Sequence, residues 1–195
     1  MMHQYRLRWV FFGWISLLLS GCADLGSGVW TGAMLVYDRH NVYKKLTDYQ
    51  LGADANRALF HDKRLKCDGC AIDLAVFHRD VLLTGHVPSR ALRKEANARV
   101  AEISGVRKQF NQLAIGSGLD NTVEDAWITA KIRSQVVADA KIEPRQFKVV
   151  TADRIVYLMG DVMPDQGARV IHVATHTDGV RRVVKLFNYY RLSAE

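Results

Sequence analysis

Residues 80–107, DVLLTGHVPSRALRKEANARVAEISGVR, and residues 154–182, RIVYLMGDVMPDQGARVIHVATHTDGVRR, follow one pattern. Each opens with a short apolar run ending in glycine, Gly85 or Gly160, followed by His-Val or Asp-Val. Each has a proline near a helix start, Pro88 or Pro164, and closes on Gly-Val-Arg, at Gly105 or Gly179. The paired glycines stand 20 and 19 residues apart. An internal repeat constrains a fold more than any single motif, because each copy is one structural unit that must bury its own apolar face.

The flanking stretches repeat as well. LGADANRALFHDKR and VEDAWITAKIRSQVVAD have helical period. AIDLAVFH from Ala71 and QFKVVTA from Gln146 read as strands. Turns at Arg79–Asp80 and Asp153–Arg154 lead each into the following strand as a hairpin. VRKQFNQLAI and VRRVVKLFNYY are the final strands. The order is helix, strand, strand, helix, strand, twice. The fold class is α+β, with units over residues 46–115 and 120–192. About 70 residues per unit suffice for one small sheet covered by two helices. The link GSGLDN permits a bend but little separation.

The N-terminus is a separate object. Arg6 and Arg8 precede WVFFGWISLLL, an apolar run of signal-peptide length that is short for a mature membrane span. The following LLSGC resembles a bacterial lipobox. That resemblance implies removal of residues 1–21 and acylation of Cys22. The alternative is an uncleaved anchor. The residue after Cys22 is Ala23 rather than aspartate, which by the same sorting logic favours the outer membrane and its periplasmic face. Cleavage would leave 25 Lys and Arg against 20 acids, a mild basic excess compatible with anionic head groups. Nucleic acid is not expected as a partner in that compartment. Residues 22–45 show no clear period and read as a tether.

The units as a pair, DAWITAKIRSQVV with IVYLMGDV and DGVRRVVKLF after it, and DRHNVYKKLTD in the tether resemble the dual BON-domain outer-membrane lipoproteins of the DolP (YraP) family. The resemblance runs from Cys22 to about Leu192, and Cys67-Asp-Gly-Cys70 departs from it. It implies tandem three-stranded mixed sheets, each with two helices, and no catalytic chemistry. It implies that the second domain binds anionic phospholipid through its first helix, around a tryptophan. It further implies support of outer-membrane integrity, with a possible place at the division site.

Trp127 is the candidate tryptophan. With its direction set to zero, Ile128, Ile132 and Val136 lie at about 100°, 140° and 180°, the stripe that packs on a sheet. Lys131, Ser134 and Ala138 lie near Trp127, with Val123 and Ala130 at the edge of that outward face. Trp127 is therefore expected to be at least half exposed. An indole suits the head-group zone of a bilayer, and Lys131 and Arg133 suit lipid phosphates. The alternative is that Trp127 seals a contact with the other domain. A protein-interaction module for envelope assembly, or a periplasmic stress or chaperone role, is the competing function.

Other residues carry weaker signals. Cys67 and Cys70 read as a local disulfide or a free thiol pair, ahead of redox or zinc chemistry. His172 and His176 stand i, i+4 without a third metal ligand, and no metal site is expected. His61, His78 and His86 form no recognisable constellation. No serine sits in a nucleophile elbow, no carboxylate pair suggests acid–base work, and Gly26, Gly28 and Gly32 follow no strand. No catalytic residue and no cofactor are expected. Arg90, Arg93, Lys94 and Arg99 read as a solvated face, with a secondary lipid contact as the alternative.

Overall fold

The computed structural model describes residues 31–61, 63–116 and 121–191. Cys22, the segment before it and most of the link at 117–120 lie outside the described residues. Helix α1 spans Thr31–Phe60. Strands β1 (Ala71–Phe77) and β2 (Asp80–Val87), helix α2 (Arg90–Ala101), and strands β3 (Lys108–Asn111) and β4 (Ala114–Ile115) complete the first domain. The second domain holds α3 (Thr122–Ala138), β5 (Phe147–Ala152), β6 (Ile155–Val162), α4 (Pro164–Thr175) and β7 (Arg182–Tyr189). Two expectations need correction. The tether is helical from Thr31 onward, and no break separates it from the domain at residue 45. Periodicity could not find this part because residues 43–47 are all exposed and have no core face to encode. The final strand of the first unit is split in two. Leu113 turns into the core, and the Asn111 side chain accepts its backbone N–H at 3.2 Å.

In each domain a hairpin is followed by a helical crossover to a parallel strand, giving the order β1-β2-β3, with β4 also on β2, and β5-β6-β7. Both hairpins close through two residues of positive φ, His78 and Arg79 in one and Asp153 and Arg154 in the other. The first turn thus falls one residue before the expected Arg79–Asp80. Two positive φ values match the right-handed strand twist but are costly without glycine. A carboxylate offsets that cost in both copies. Asp48 accepts the N–H groups of His78 and Arg79 at 2.7 and 2.8 Å, and Asp125 accepts those of Asp153 and Arg154 at 2.7 and 2.8 Å. The turn arginines then reach the glycine carbonyls of the repeat, Arg79 to Gly105 and Arg154 to Gly179.

The strand glycines of the repeat are required by close approach. A Cβ on Gly85 would lie 2.1 Å from the Ala71 carbonyl oxygen, and one on Gly160 would lie 2.5 Å from that of Gln146.

Each sheet has one face on its helices. Leu51 and Leu59 of α1 and Ala96 and Val100 of α2 pack on Val81, Leu83 and Val87. Ile128, Ile132 and Val136 of α3 and Val170 and Ala174 of α4 pack on Val156, Leu158 and Val162. The other faces pack on one another. Leu82, with Phe77 and Phe110 partly buried beside it, meets Ile155, Tyr157, Met159 and Leu186. The strand period of two sends alternate residues of β2 and β6 to the two sides. Residues 41–195 are one compact unit, and the result is a four-layer α/β/β/α sandwich.

Candidate functional site

The sandwich decides what α3 exposes. Ile128, Ile132 and Val136 are at 0%, 0% and 3% exposure, so the stripe read from the sequence is the sheet-facing one. Trp127 is 52% exposed, and the sheet-to-sheet cluster does not contain it. The two domains meet through their sheet faces, and α3 also shares a cleft with the first domain, but Trp127 lines neither. Val123, at 85%, and Val137, at 69%, extend the apolar surface along the helix. The sequence reading of the helix assigns no role to Val137. The period of 3.6 places it about 80° from Trp127, within the outward half. Ala130, Ser134 and Ala138 are exposed and small between these side chains, and the Ser134 hydroxyl is turned back onto the Lys131 carbonyl at 2.8 Å.

The two expected cations are differently placed. The Lys131 ammonium lies 4.8 Å from the centroid of the Trp127 ring and 2.7 Å from an Asp178 carboxylate oxygen. Its hydrogen bond and its charge hold the Asp178 carboxyl below the usual range. Arg133 lies about 120° around the helix from Trp127. Its guanidinium donates to the Val149 carbonyl at 3.1 Å, on the edge of β5. There it lines a cleft of about 670 Å³ between the domains, with Thr129, Thr151 and the His86–Asp153 pair. The structure therefore brings Trp127, Val123, Lys131, Ser134 and Ala138 to one outward face, with Ala130 at its edge, lining the same cleft as Arg133.

The first domain supplies a comparison within the chain. Asp48 and Asp125 hold equivalent turns, which aligns α1 with α3. Leu51, Ala55 and Leu59 then match Ile128, Ile132 and Val136, all buried. Gln50 stands where Trp127 does. The fold does not require an aromatic there.

The histidines acquire partners that sequence reading missed. His78 Nδ1 lies 2.8 Å from Asp161, and His86 Nε2 lies 2.7 Å from Asp153. Each pair spans the domains, and the four positions are related by the repeat offset of 75 residues, the one signal that could have linked them. Arg107 joins the first pair, donating to the buried Asp80 at 2.7 and 2.8 Å and to Asp161 at 2.8 Å. Burial raises the Asp161 carboxyl. Hydrogen bonds from Arg107, His78 and Asn188, with the Arg107 charge, outweigh it and leave the group below its ordinary value. Cys67 and Cys70 are joined as a disulfide. His172 and His176 stack at 4.0 Å, and His176 Nδ1 lies 2.8 Å from the His172 carbonyl oxygen. The basic cluster of α2 is divided: Arg99 turns inward to the carbonyls of Ala58 and Leu59, while Arg90, Arg93 and Lys94 stay exposed. Among the described residues, no helix is long and apolar enough to cross a membrane.

Known proteins are similar to this chain in sequence. The chain is 25% identical over 178 residues to the outer membrane lipoprotein DolP of Haemophilus influenzae, covering 89% of this chain and 91% of that protein. It is 30% identical to the 21 kDa hemolysin of Actinobacillus pleuropneumoniae, over 67% of this chain and 68% of that one. To osmotically-inducible protein Y of Escherichia coli it is 27% identical, over 71% and 70%. The BON domain model matches residues 53–116 and again 124–189. With two such matches over two glycine-punctuated, carboxylate-latched units, the chain belongs to the BON-domain family.

Proposed function

We propose that this protein is a non-enzymatic, lipid-anchored protein of the outer membrane that binds anionic phospholipid on its periplasmic face. In this reading acyl chains on Cys22 tether it, and the outward face of α3 makes a second, weaker contact. Two weak contacts with one surface reinforce one another through effective concentration. Preference for anionic lipid would then gather the protein where such lipid is enriched, the division site included, in support of envelope integrity.

The observation that carries this reading is the half-exposed Trp127 on a helix that is apolar on both sides. Burial of Ile128, Ile132 and Val136 accounts for the inner side only. Moving the exposed half of an indole, about 120 Å², out of water is worth roughly 3 kcal/mol, and the two exposed valines add to it. Lys131 lies over the ring and offers a cation at the same level. DolP of Haemophilus influenzae bears the words outer membrane lipoprotein in its name, in keeping with this placement.

The test is an amide NMR titration of residues 23–195 with anionic and with zwitterionic vesicles. Shifts centred on Val123–Ala138 are expected with the anionic lipid only. Trp127→Glu should remove them and leave the melting temperature within about 2 °C, since a half-exposed side chain adds little to the core. Absence of shifts with either lipid would sink the reading in favour of a protein-binding module.

A further inference from the structure

The exposed part of α2 is a second surface that the lipid reading does not use. Arg90, Arg93, Lys94 and Asn97 line a groove of about 510 Å³ with Asn111 and Ile115. No acid lines it. Arg93 spends one hydrogen bond on the Asn111 carbonyl, at 3.2 Å. No described residue pairs with Arg90 or Lys94. Ile115, on β4, is 44% exposed at the end of the groove.

The second domain shows that the fold does not demand this. At the repeat offset, Arg90 is matched by Asp165, Arg93 by Ala168 and Lys94 by Arg169. Arg169 is neutralised by Asp139 at 3.6 Å. The equivalent groove is lined by Pro164, Ala168, Ile171 and Tyr189, with Arg191 its single cation. Residues 53–116 hold eleven Lys and Arg against seven acids, so the groove adds to a basic surface instead of balancing an acidic one.

We propose that this groove docks an acidic, extended segment of a partner protein, with carboxylates on Arg90, Arg93 and Lys94 and an apolar side chain on Ile115. Charge complementarity selects carboxylates, and a fork-shaped guanidinium binds them in a defined geometry. Isoleucine at the groove end adds a preference that charge alone would not supply. The layer order excludes the bilayer met by α3. Helices α1 and α2 cover one side of the sandwich and α3 and α4 the other, so α2 faces away from that membrane. The choice of a protein over a bilayer therefore rests on the reading of α3 given above.

The experiment uses residues 23–195 and two short blocked peptides, each with four glutamates around a central leucine or a central serine. Amide NMR shifts on α2 are expected with both peptides. A shift of Ile115 and at least threefold tighter binding are expected with leucine only. Arg90→Gln with Lys94→Gln should weaken binding at least tenfold, as should raising salt from about 0.05 M to about 0.5 M. Both positions are exposed, so the double variant should keep its fold, checked by its unperturbed α3 resonances. Lack of binding by either peptide, equal binding by both, or binding unchanged in the double variant would overturn the proposal. So would shifts on α2 with anionic vesicles, which would make the groove a lipid contact. Failure of α3 to respond to vesicles, with α2 still responding to peptide, would remove the lipid reading and leave the groove in place.

Discussion

Asp125→Ala should lower stability by about 2.5–3 kcal/mol, although the side chain lies in the first turn of a surface helix. Its carboxylate accepts two backbone N–H groups across the hairpin turn, at 2.7 and 2.8 Å. The Asp153 N–H is part-buried, and a charge-assisted bond there contributes about 1.5 kcal/mol. The Arg154 N–H is exposed, so water replaces the lost acceptor and the loss falls to about 0.5–1 kcal/mol. A lost acid in the first turn of α3 adds about 0.5 kcal/mol. Alanine also leaves two non-glycine residues at φ 53° and 61° without the two backbone hydrogen bonds that offset their cost. For a unit of this size the melting temperature should fall roughly 6–10 °C. Asp125→Asn keeps one acceptor oxygen and should lose about half as much. Paired urea and thermal melts of the three proteins measure both. If the alanine variant unfolds within about 0.5 kcal/mol of the parent, or the asparagine variant matches the parent, the carboxylate does not secure the turn and the argument fails.

Three further outcomes follow from the same structure. Asp178→Asn should free the Lys131 ammonium and tighten binding to anionic vesicles about fivefold, the worth of one cation at such a surface, as read by vesicle co-sedimentation. Asp161 is held below its ordinary value, so its contribution is present above the unfolded carboxyl pKa near 4 and is lost as pH falls through the lower folded value. Stability measured from pH 6 down to pH 2 should therefore decline less steeply in Asp161→Asn, which starts lower and has no such carboxyl to protonate. Gly160→Ala must push a methyl carbon against the Gln146 carbonyl and should cost about 3 kcal/mol or more, visible as loss of soluble protein or a collapsed melting temperature.

Much of the fold was legible because its causes are local. The stripe Ile128, Ile132 and Val136 is a one-dimensional code for a helix on a sheet, and it is buried as read. Strands β2 and β6 were visible as short apolar runs, but a run that is apolar throughout does not say what packs on its second face. The N-terminal part of α1 escaped because periodicity reports a buried face, and its exposed turns at 43–47 have none. The kink at Leu113 escaped because it depends on a hydrogen bond from the Leu113 backbone N–H to the Asn111 side chain, not on hydrophobic pattern. At the candidate site, an outward Trp127 was a matter of angle alone, whereas the Asp178 partner of Lys131 lies 47 residues away and belongs to another loop.

The sequence by itself determined the number of units, their element order, the inward faces of their helices and the outward direction of Trp127. These follow from periods of two and 3.6 residues, glycine spacing and the repeat, all short-range quantities. Only the tertiary structure decided which faces the two domains share. Packing of the spare sheet faces leaves α3 open, joins His78 to Asp161 and His86 to Asp153, and puts the basic groove on the opposite side from Trp127. Such pairings join residues more than 60 positions apart. Local preference cannot encode them, because they are selected by the fit of two finished surfaces.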